Sequence, residues 1–351
     1  MFPLKFPYSI LSHHANPGDW IIDPFCGRGT TNYAGRLLGL PSIGIDSSPV
    51  AVASSEAKLA NVAPDAIIEA AEQILSEVKI AQDVPTGEFW DWAFDPSVLN
   101  TICRLREGLM RSCLLDSHKA LRAILMGALH GPRGKIRQSY FSNQCQRTYA
   151  PKPRYAVKFW KSRELQPAFV DVLEIIGNRA HRYYQQLLPS CGGYILHGDS
   201  RAQETYLHLS DGPKIKWVLT SPPYYGMCTY LPDQWLRLWF VGGPSNVEYS
   251  TNGQLEHSSV AGFSDQLRKV WKNVGTICRP DARMIIRFGG INVRNVAPMT
   301  VLKESLKNSG WKIQTLKSAG FASEGRRQAV HFSKSSNNAL EEYDVWAKWE
   351  G

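Results

Sequence analysis

The sequence predicts an α/β protein built on an open, mostly parallel sheet. The first five apolar runs of strand length end on Asp, Gly or Pro, and helical segments lie between several of the runs. Strands that alternate with helices are typical of parallel sheets. The second and third runs are separated by about 150 residues, which is too long for one crossover and indicates an insertion.

Seven runs are predicted as strands, namely 20–25, 42–46, 194–199, 215–223, 282–289, 312–319 and 343–349. Helices are predicted at 31–38, 49–61, 263–277 and 298–308. Within the insertion, helical periodicity is found at 65–81, 95–115, 117–130 and 165–188. We therefore expect 1–61 and 190–351 to form one discontinuous domain, and 62–189 to be a mainly helical insertion.

The composition narrows the class of protein. The chain has 351 residues, 43% of them hydrophobic, enough for a full core and about two domains. No apolar window is long enough to cross a membrane, and residues 1–20 lack the apolar core of a signal peptide. The seven cysteines are scattered without metal-type spacing, which predicts reduced thiols, a cytoplasmic protein and no metal site.

The positive charge is concentrated in one segment, 131–163, which we call the basic stretch. It has nine Lys or Arg and no acid, so it accounts for the whole net charge of +9. Its prolines, Pro151 and Pro153, predict a loop rather than a helix. The side chains predicted to contact nucleic-acid phosphates are Arg133, Lys135, Arg137, Arg147, Lys152, Arg154, Lys158, Lys161 and Arg163.

Other side chains of the basic stretch suit sugars and bases. Its aromatic rings are expected to pack on them: Tyr140, Phe141, Tyr149, Tyr155, Phe159 and Trp160. Asn143, Gln144, Gln146 and Arg147 have side chains able to read base edges. A solvated basic loop with a few buried rings is the alternative.

The first motif is DPFCGRGTT, residues 23–31, where a strand gives way to a glycine turn and a helix. In open α/β sheets ligands bind at the carboxyl ends of strands, and glycine lets the backbone approach them. The turn lacks the spacing of the dinucleotide fingerprint and the lysine of the phosphate loop. We expect a ligand to be lined by Asp23, Pro24, Phe25, Gly27, Gly29 and Thr30. Cys26 is expected to be a packed residue and not a reactive thiol.

Two further acids end predicted strands. Asp46 follows the glycine turn by about 20 residues and can accept hydrogen bonds from ribose hydroxyls, or cap the next helix. Asp199, in HGDSR, can accept from an adenine amino group, with a helix cap as the alternative. Together with the glycine turn, they predict a nucleoside-containing ligand.

The second motif is TSPPYY, residues 220–225, directly after the fourth predicted strand. With DPFCGRGTT in register with the first strand, it resembles the exocyclic-amino DNA methyltransferases of the TSPPY type, which act on cytosine N4 or adenine N6. FPYSIL, residues 6–11, is similar to the extra amino-terminal motif of that family.

The resemblance implies a class I S-adenosylmethionine-dependent methyltransferase fold, a Rossmann-like seven-stranded mixed sheet, here with a mainly helical insertion. It implies S-adenosylmethionine as cofactor and duplex DNA as partner. It is also compatible with a cognate restriction endonuclease as a protein partner. The target base would be held by Ser221, Pro222, Pro223 and Tyr224. The rigid prolines would fix acceptors for the amino hydrogens, and the Tyr224 ring would stack on a flipped base.

Several points stay open in the sequence. Ser at the first position of SPPY favours cytosine N4, with adenine N6 as the alternative. An RNA amino-methyltransferase and a catalytically silent DNA-binding protein are further alternatives. Residues 231–240 predict a short amphipathic helix that either covers the target pocket or supports the fold. The insertion 62–189 is the candidate target recognition region, and the alternative is that the basic stretch clamps the DNA backbone.

Overall fold

A computed structural model of the protein describes residues 2–130, 139–144, 152–226, 230–249, 254–290, 296–321 and 341–351. These residues contain one seven-stranded sheet in the order β3-β2-β1-β4-β5-β7-β6. The strands are Trp20–Asp23 (β1), Ser42–Asp46 (β2), Gly193–His197 (β3), Ile215–Thr220 (β4), Cys278–Phe288 (β5), Trp311–Phe321 (β6) and Glu341–Trp349 (β7). The first five are parallel, whereas β7 is antiparallel to both of its neighbours. The predicted fold class, a mixed seven-stranded sheet with a mainly helical insertion, is confirmed.

The helices flank the strands and fill the insertion. They are Lys5–His14 (α1), Thr30–Leu37 (α2), Pro49–Leu59 (α3), Pro64–Glu77 (α4), Glu88–Ala93 (α5), Pro96–Arg111 (α6), Asp116–Ala128 (α7), Pro153–Lys161 (α8), Val172–Tyr184 (α9), Glu204–Leu207 (α10), Tyr230–Asp233 (α11), Trp235–Phe240 (α12), Val260–Thr276 (α13) and Pro298–Leu306 (α14). No helix within these described ranges is both long and apolar enough to cross a membrane.

The sheet has a hydrophobic core on each face. Ile21 and Ile22 are neighbours in β1 and point to opposite faces, as alternating strand residues do. Ile21 packs with α1 and α2, and Ile22 packs in a larger cluster that contains α13 and α14. Both isoleucines are fully buried, which explains why β1 is a continuous apolar run.

The strand order reverses between β1 and β4. From β1 the chain continues outwards through β2 and β3, and from β4 it continues through β5 on the other side. Ligands of open α/β sheets bind outside the carboxyl ends of the strands at such a reversal. The glycine turn follows β1 and SPPYY follows β4, so the topology places both motifs at this point.

By its internal contacts the chain divides into two units. The sheet unit comprises 1–59, 189–228 and 251–351, and the helical unit comprises 60–188 and 229–250. The second segment of the helical unit contains α12. Trp235 and Trp239 are buried against Trp90 of α5, with ring centroids 5.9 and 4.6 Å away. These contacts show that α12 supports the core of the helical unit, the second of the two roles that the sequence left open.

One prediction about the basic stretch is wrong. The prolines predict a loop, but Pro153–Lys161 forms helix α8. Pro153 occupies the first turn, where its missing N–H would have no helical partner, so it starts the helix instead of breaking it. Ala156, Val157 and Trp160 form its buried stripe.

Arg106 connects the two segments of the helical unit. Its Nε donates to the Trp239 carbonyl oxygen at 3.0 Å, and its Nη1 lies 2.8 Å from Asp83 Oδ2. The guanidinium also lies over the Trp239 ring, 5.2 Å from the ring centroid. Arg106 is 7% exposed and the Asp83 side chain is 69% exposed, so the hydrogen bond to the Trp239 carbonyl oxygen is shielded from water and the ion pair is not.

We expect Arg106→Met to lower the free energy of unfolding by about 2 kcal/mol, because the variant loses a buried hydrogen bond and leaves the Trp239 carbonyl oxygen without its Arg106 donor. Urea titration followed by tryptophan fluorescence measures this change. Arg111→Met, on the same helix but with an exposed side chain, is the matched control. Equal stability of the two variants would contradict the connecting role of Arg106.

Candidate active site

A buried carboxylate lies where the two motifs meet. Asp23 ends β1, and its Oδ1 accepts a hydrogen bond of 2.6 Å from the Thr220 hydroxyl at the end of β4. Oδ2 accepts one of 2.8 Å from the Thr31 hydroxyl in α2, and Oδ1 accepts a third from the Phe25 N–H at 3.1 Å. Asp23 therefore joins the glycine turn, α2 and the start of TSPPYY.

Burial changes the acidity of this group. Asp23 is 2% exposed, and burial raises its pKa from 3.8 to about 6, although the hydrogen bonds from Thr220, Thr31 and Phe25 oppose the rise. The nearby Asp46 carboxylate raises the pKa further. The sequence predicted Asp23 as a ligand-lining residue, and the structure gives its carboxylate three partners within the protein. Thr220 was missed because a hydroxyl at a strand end has no distinctive signal.

The glycine turn has a backbone that other residues rarely adopt. Gly27 and Gly29 have φ values of +54° and +65°. A Cβ on Gly29 would lie 2.9 Å from Ser55 Cα, so α3 approaches the turn too closely for a side chain. Ser55 donates to the Gly27 carbonyl oxygen at 3.1 Å, and α2 begins at Thr30 without a side-chain cap. Gly29, at the N-cap position of α2, therefore offers no side-chain acceptor to the first-turn N–H groups.

Cys26 lies within this turn as a packed residue, as predicted. Its side chain is 4% exposed, and its thiol is 3.6 Å from Ser55 Oγ. Burial raises the pKa of the thiol well above its usual value, and Asp46 and Asp23 raise it further. Cys26 therefore stays protonated at neutral pH.

Asp46, at the end of β2, holds the turn in place. Its Oδ2 accepts from the Gly27 N–H at 2.9 Å, and its Oδ1 accepts from the Ser48 N–H at 2.9 Å. Burial raises its pKa, while these backbone hydrogen bonds oppose the rise. The side chain remains half-buried, and each carboxylate oxygen has a second lone pair for a ligand hydroxyl. Asp46 does not cap α3, because Ser48 Oγ accepts from the Ala51 N–H of its first turn, and ligand binding by Asp46 remains a prediction.

Asp199 lies after β3 and is paired with Arg201. The Arg201 Nη2 is 2.6 Å from Asp199 Oδ2, and the Arg201 backbone N–H donates to Asp199 Oδ1 at 2.9 Å. Burial alone would raise the pKa of Asp199, but the hydrogen bonds and charge of Arg201 lower it overall. Its proposed contact with adenine remains a prediction, and any base there would share the carboxylate with Arg201.

The SPPYY segment follows β4 directly. Ser221 is half-buried, and its hydroxyl has no hydrogen-bond partner within the part of the chain that the structure describes. Pro222 is buried and Pro223 half-buried. Tyr224 is 6% exposed, its hydroxyl donates to Glu342 Oε1 at 2.7 Å, and its ring meets the Phe288 ring edge-on at 5.7 Å.

Tyr225, for which the sequence suggests no role, packs in the core of the sheet unit. Its ring lies edge-on to Phe263 at 5.3 Å and tilted to His257 at 6.2 Å. His257 Nδ1 accepts a hydrogen bond of 3.0 Å from the Gly226 N–H. Residues on both sides of SPPYY are therefore fixed to the sheet unit. His257 and Glu342 were missed because nothing in the sequence marks residues 31 and 118 positions away as partners.

Part of the basic stretch can be described. Arg154, Tyr155, Lys158 and Phe159 form the exposed face of α8, while Lys161 is paired with Glu88. Lys152 Nζ lies 5.4 Å from the centroid of the Tyr249 ring, and the Arg163 guanidinium lies 4.0 Å from that of Phe159. Arg133, Lys135, Arg137, Tyr149, Gln146 and Arg147 lie outside the described residues, so their phosphate and base contacts remain predictions.

Several expected base and sugar contacts are wrong for this conformation. Asn143 is buried, and its Nδ2 donates to the carbonyl oxygens of Trp92 and Leu165. The Gln144 side chain is fully buried. Phe141 and Trp160 are also buried, because they fill the core of the helical unit. For Trp160 the sequence could not separate core from exposed positions because α8 was not predicted, and Phe141, Asn143 and Gln144 lie in a non-helical segment that has no periodic pattern to mark its buried side.

The polar groups around the glycine turn suit a nucleoside that has an anionic tail. The Asp46 carboxylate can accept from hydroxyl groups, and the uncapped amino terminus of α2 can hold a carboxylate. The two features lie on either side of the left-handed turn at Gly27. S-adenosylmethionine, the predicted cofactor, has both ribose hydroxyls and a carboxylate.

Comparison with known proteins finds similarity over part of the chain. Residues 1–57 match the family model described as DNA methylase, the N6_N4 methyltransferases. The matched region covers α1, β1, the glycine turn, β2 and most of α3. The predicted resemblance to the exocyclic-amino DNA methyltransferases is thus confirmed for this family, whereas the TSPPY type stays a prediction because TSPPYY lies outside the match.

Two relatives are more specific. The chain is 54% identical over 39 residues to the type II methyltransferase M.EcaI of Enterobacter cloacae, covering 11% of this chain and 9% of the relative. It is 51% identical over 49 residues to the type II methyltransferase M.MjaII of Methanocaldococcus jannaschii, covering 14% of this chain and 9% of the relative. The chain thus matches about a tenth of the length of these relatives.

Solved structures align with nearly the whole chain, but at low sequence identity. The rRNA methyltransferase AviRa of Streptomyces viridochromogenes aligns with 99% of this chain and 86% of its own, at 12% identity and a TM-score of 0.35. A SAM-dependent methyltransferase of Methanosarcina mazei aligns with 99% of this chain and 98% of its own, at 8% identity and a TM-score of 0.37.

The raised pKa of Asp23 predicts a pH-dependent stability. The folded state binds this proton more tightly than the unfolded state, so stability from this group is present below pH 3.8 and is lost as pH rises through about 6. When the whole pH range is covered, a pKa shift of this size changes the free energy of unfolding by about 3 kcal/mol. Between about pH 4.5 and pH 7, wild type should lose about 2 kcal/mol that Asp23→Asn does not lose.

Urea titration of both proteins at the two pH values measures this difference. Asp281→Asn is the control, because that exposed carboxylate has a lowered pKa and a shift of opposite sign. Parallel pH dependence of wild type and Asp23→Asn would contradict the raised pKa.

Proposed function

We propose that the protein transfers a methyl group from S-adenosylmethionine to the exocyclic amino group of a base in duplex DNA, with cytosine N4 as the target. The DNA methylase match at 1–57 and the type II relatives support the reaction class. They do not reach SPPYY, so the base and the catalytic residues are part of the proposal.

One observation supports the proposal most strongly. The glycine turn and SPPYY leave adjacent strands at the reversal of the sheet, and the Thr220–Asp23 hydrogen bond of 2.6 Å joins the two strand ends. A cofactor on the turn and a base on SPPYY would therefore be neighbours. Bringing the two reactants together supplies much of the acceleration in a group transfer.

The cofactor site would consist of the glycine turn, α2 and Asp46, with Asp199 and Phe25 towards the adenine. When bound there, S-adenosylmethionine supplies the methyl group. Asp23 would hold the residues around the cofactor rather than bind it through a free carboxylate. Its carboxylate already accepts hydrogen bonds from Thr31, Thr220 and the Phe25 N–H.

SPPYY would act on the base. An amino nitrogen of cytosine is a poor nucleophile, because its lone pair is conjugated with the ring. The Ser221 hydroxyl and the Pro222 carbonyl oxygen would each accept a hydrogen bond from one N–H of the amino group. These two hydrogen bonds favour a tetrahedral nitrogen with its lone pair available. Pro222 and Pro223 restrict the backbone, so these acceptors are preorganised. Tyr224 would stack on the flipped base, which requires that its ring, on a side chain 6% exposed without DNA, be uncovered when the base enters.

The target base is tested directly by mass spectrometry of nucleosides from DNA treated with the protein and S-adenosylmethionine. N4-methylcytosine is expected. N6-methyladenine alone would replace cytosine with adenine in the proposal, and methylation of tRNA in preference to duplex DNA would replace the substrate. Sequencing the modified positions then gives the recognition sequence.

We assign the helical unit, with 62–189 and the basic stretch, to DNA binding and target recognition. The exposed face of α8 supports this role, because Arg154 and Lys158 stand beside the exposed rings of Tyr155 and Phe159. No acid lies in 152–163, so phosphates meet no repulsion from this segment itself. A cognate restriction endonuclease is the protein partner in this proposal, and the cytoplasm is the proposed location.

We expect Ser221→Ala to lower kcat for methyl transfer about 10- to 100-fold, because one acceptor of an amino hydrogen is lost. The affinity for S-adenosylmethionine, measured by calorimetry, should change little. Ser210→Ala, at an exposed site in the same unit, is the control for handling and folding. Equal losses in turnover and cofactor affinity would show that Ser221 does not act on the base.

We expect Arg154→Gln with Lys158→Gln to weaken binding to a mixed-sequence DNA duplex and to reduce its salt dependence. Each lost phosphate contact lowers the slope of log K against log salt by about 1, so two contacts lower it by about 2. Lys79→Gln, an exposed lysine of the helical unit outside the basic stretch, is the matched control. An unchanged slope would remove α8 from the phosphate contacts.

A further inference from the structure

The first residues of β7 lie next to the candidate catalytic segment. Because β7 is antiparallel to β5, its start meets the carboxyl end of β5, with Tyr343 opposite Phe288. Glu342 therefore lies at the same edge of the sheet as SPPYY, although 118 residues of chain separate it from Tyr224.

Glu342 and Tyr224 form a buried pair. The Tyr224 hydroxyl donates to Glu342 Oε1 at 2.7 Å, and the two residues are 6% and 4% exposed. Gly289 closes the space beside them, since a Cβ there would lie 3.0 Å from Glu342 Cγ and 3.3 Å from Tyr224 Cζ. Phe288 contacts the Tyr224 ring edge-on. The ring is thus held at its hydroxyl and at its side.

Burying a carboxylate lowers the stability of the fold unless hydrogen bonds satisfy it. An apolar side chain would therefore fill this space at a smaller free-energy cost than Glu342. A tyrosine that must stack on a flipped base, however, has to keep its ring in one orientation. The hydrogen bond from the Tyr224 hydroxyl to Glu342 Oε1 would fix that orientation.

We propose that Glu342 is a positioning residue, which holds the Tyr224 ring in the orientation that receives the target base. This proposal rests on the proposed function of SPPYY. Glu342 acts through the Tyr224 hydroxyl, so an uncharged acceptor of the same shape is sufficient for its role. A carboxylate that instead took a proton from the substrate could not be replaced by an amide.

The experiment measures single-turnover methyl transfer and cofactor affinity for four variants. Glu342→Gln keeps an acceptor and Glu342→Met removes it, while Tyr224→Phe removes the donor but keeps the ring. The fourth combines Tyr224→Phe with Glu342→Met. Glu341→Met is the matched control, because its carboxylate contacts Ser318 and Tyr343 instead.

Glu342→Met and Tyr224→Phe should each lower the transfer rate about 10-fold, the loss of one charge-assisted hydrogen bond. Their combination should be no slower than either alone, since both changes break the same contact. Glu342→Gln should stay within about 3-fold of wild type, and affinity for S-adenosylmethionine should be unchanged throughout.

Two results would overturn the proposal: Glu342→Gln as slow as Glu342→Met, or losses that multiply in the combined variant. The same cycle measured by urea unfolding tests the contact without any substrate. Multiplied effects on the unfolding constant would show that the two side chains are uncoupled. Wild type that methylates no DNA would instead refute the proposed function, whatever the unfolding cycle gives.

Discussion

The carboxylate of Asp23 is the constraint on which the arrangement of the two motifs depends. It accepts hydrogen bonds from Thr31 and Thr220, so the helix after β1 and the loop after β4 are fixed by one side chain. Holding this carboxylate away from water raises its pKa to about 6, so it is held at a cost in stability at neutral pH. If a cofactor binds after β1 and a base binds after β4, the two strand ends must keep a fixed position relative to each other. The hydrogen bonds to Asp23 hold them in that position, and the other contacts of the sheet unit add to this.

Most of the sheet could be predicted from the sequence, because buried parallel strands are short apolar runs that end at clear turns. The seven predicted strands are all present, and DPFCGRGTT lies in the predicted turn. The same reasoning failed for α8, since a proline at a helix start looks like a helix breaker when the start is unknown. Local patterns thus identify elements, but their ends depend on neighbours that only the fold supplies.

The two motifs of the candidate site could be predicted although they lie far apart along the chain, whereas single partner residues outside a motif could not. Asp46 and the glycine turn are 19 residues apart and meet through one strand and helix. Glu342 and Thr220 were missed because their partners lie 118 and 197 residues away. Similarly, Asn143 and Gln144 looked like base-reading residues because polarity alone does not reveal burial.

The central position of β1 has a consequence for the order in which the chain can fold during synthesis. Ile22 of β1 is paired with Val218 of β4, about 200 residues later, and the helical insertion is made between them. On the ribosome the first strands must therefore wait, with apolar surface uncovered, until the whole insertion and β4 have emerged. At synthesis rates of about 5–20 residues per second this interval lasts tens of seconds, during which the nascent sheet depends on the insertion or on chaperones to avoid aggregation.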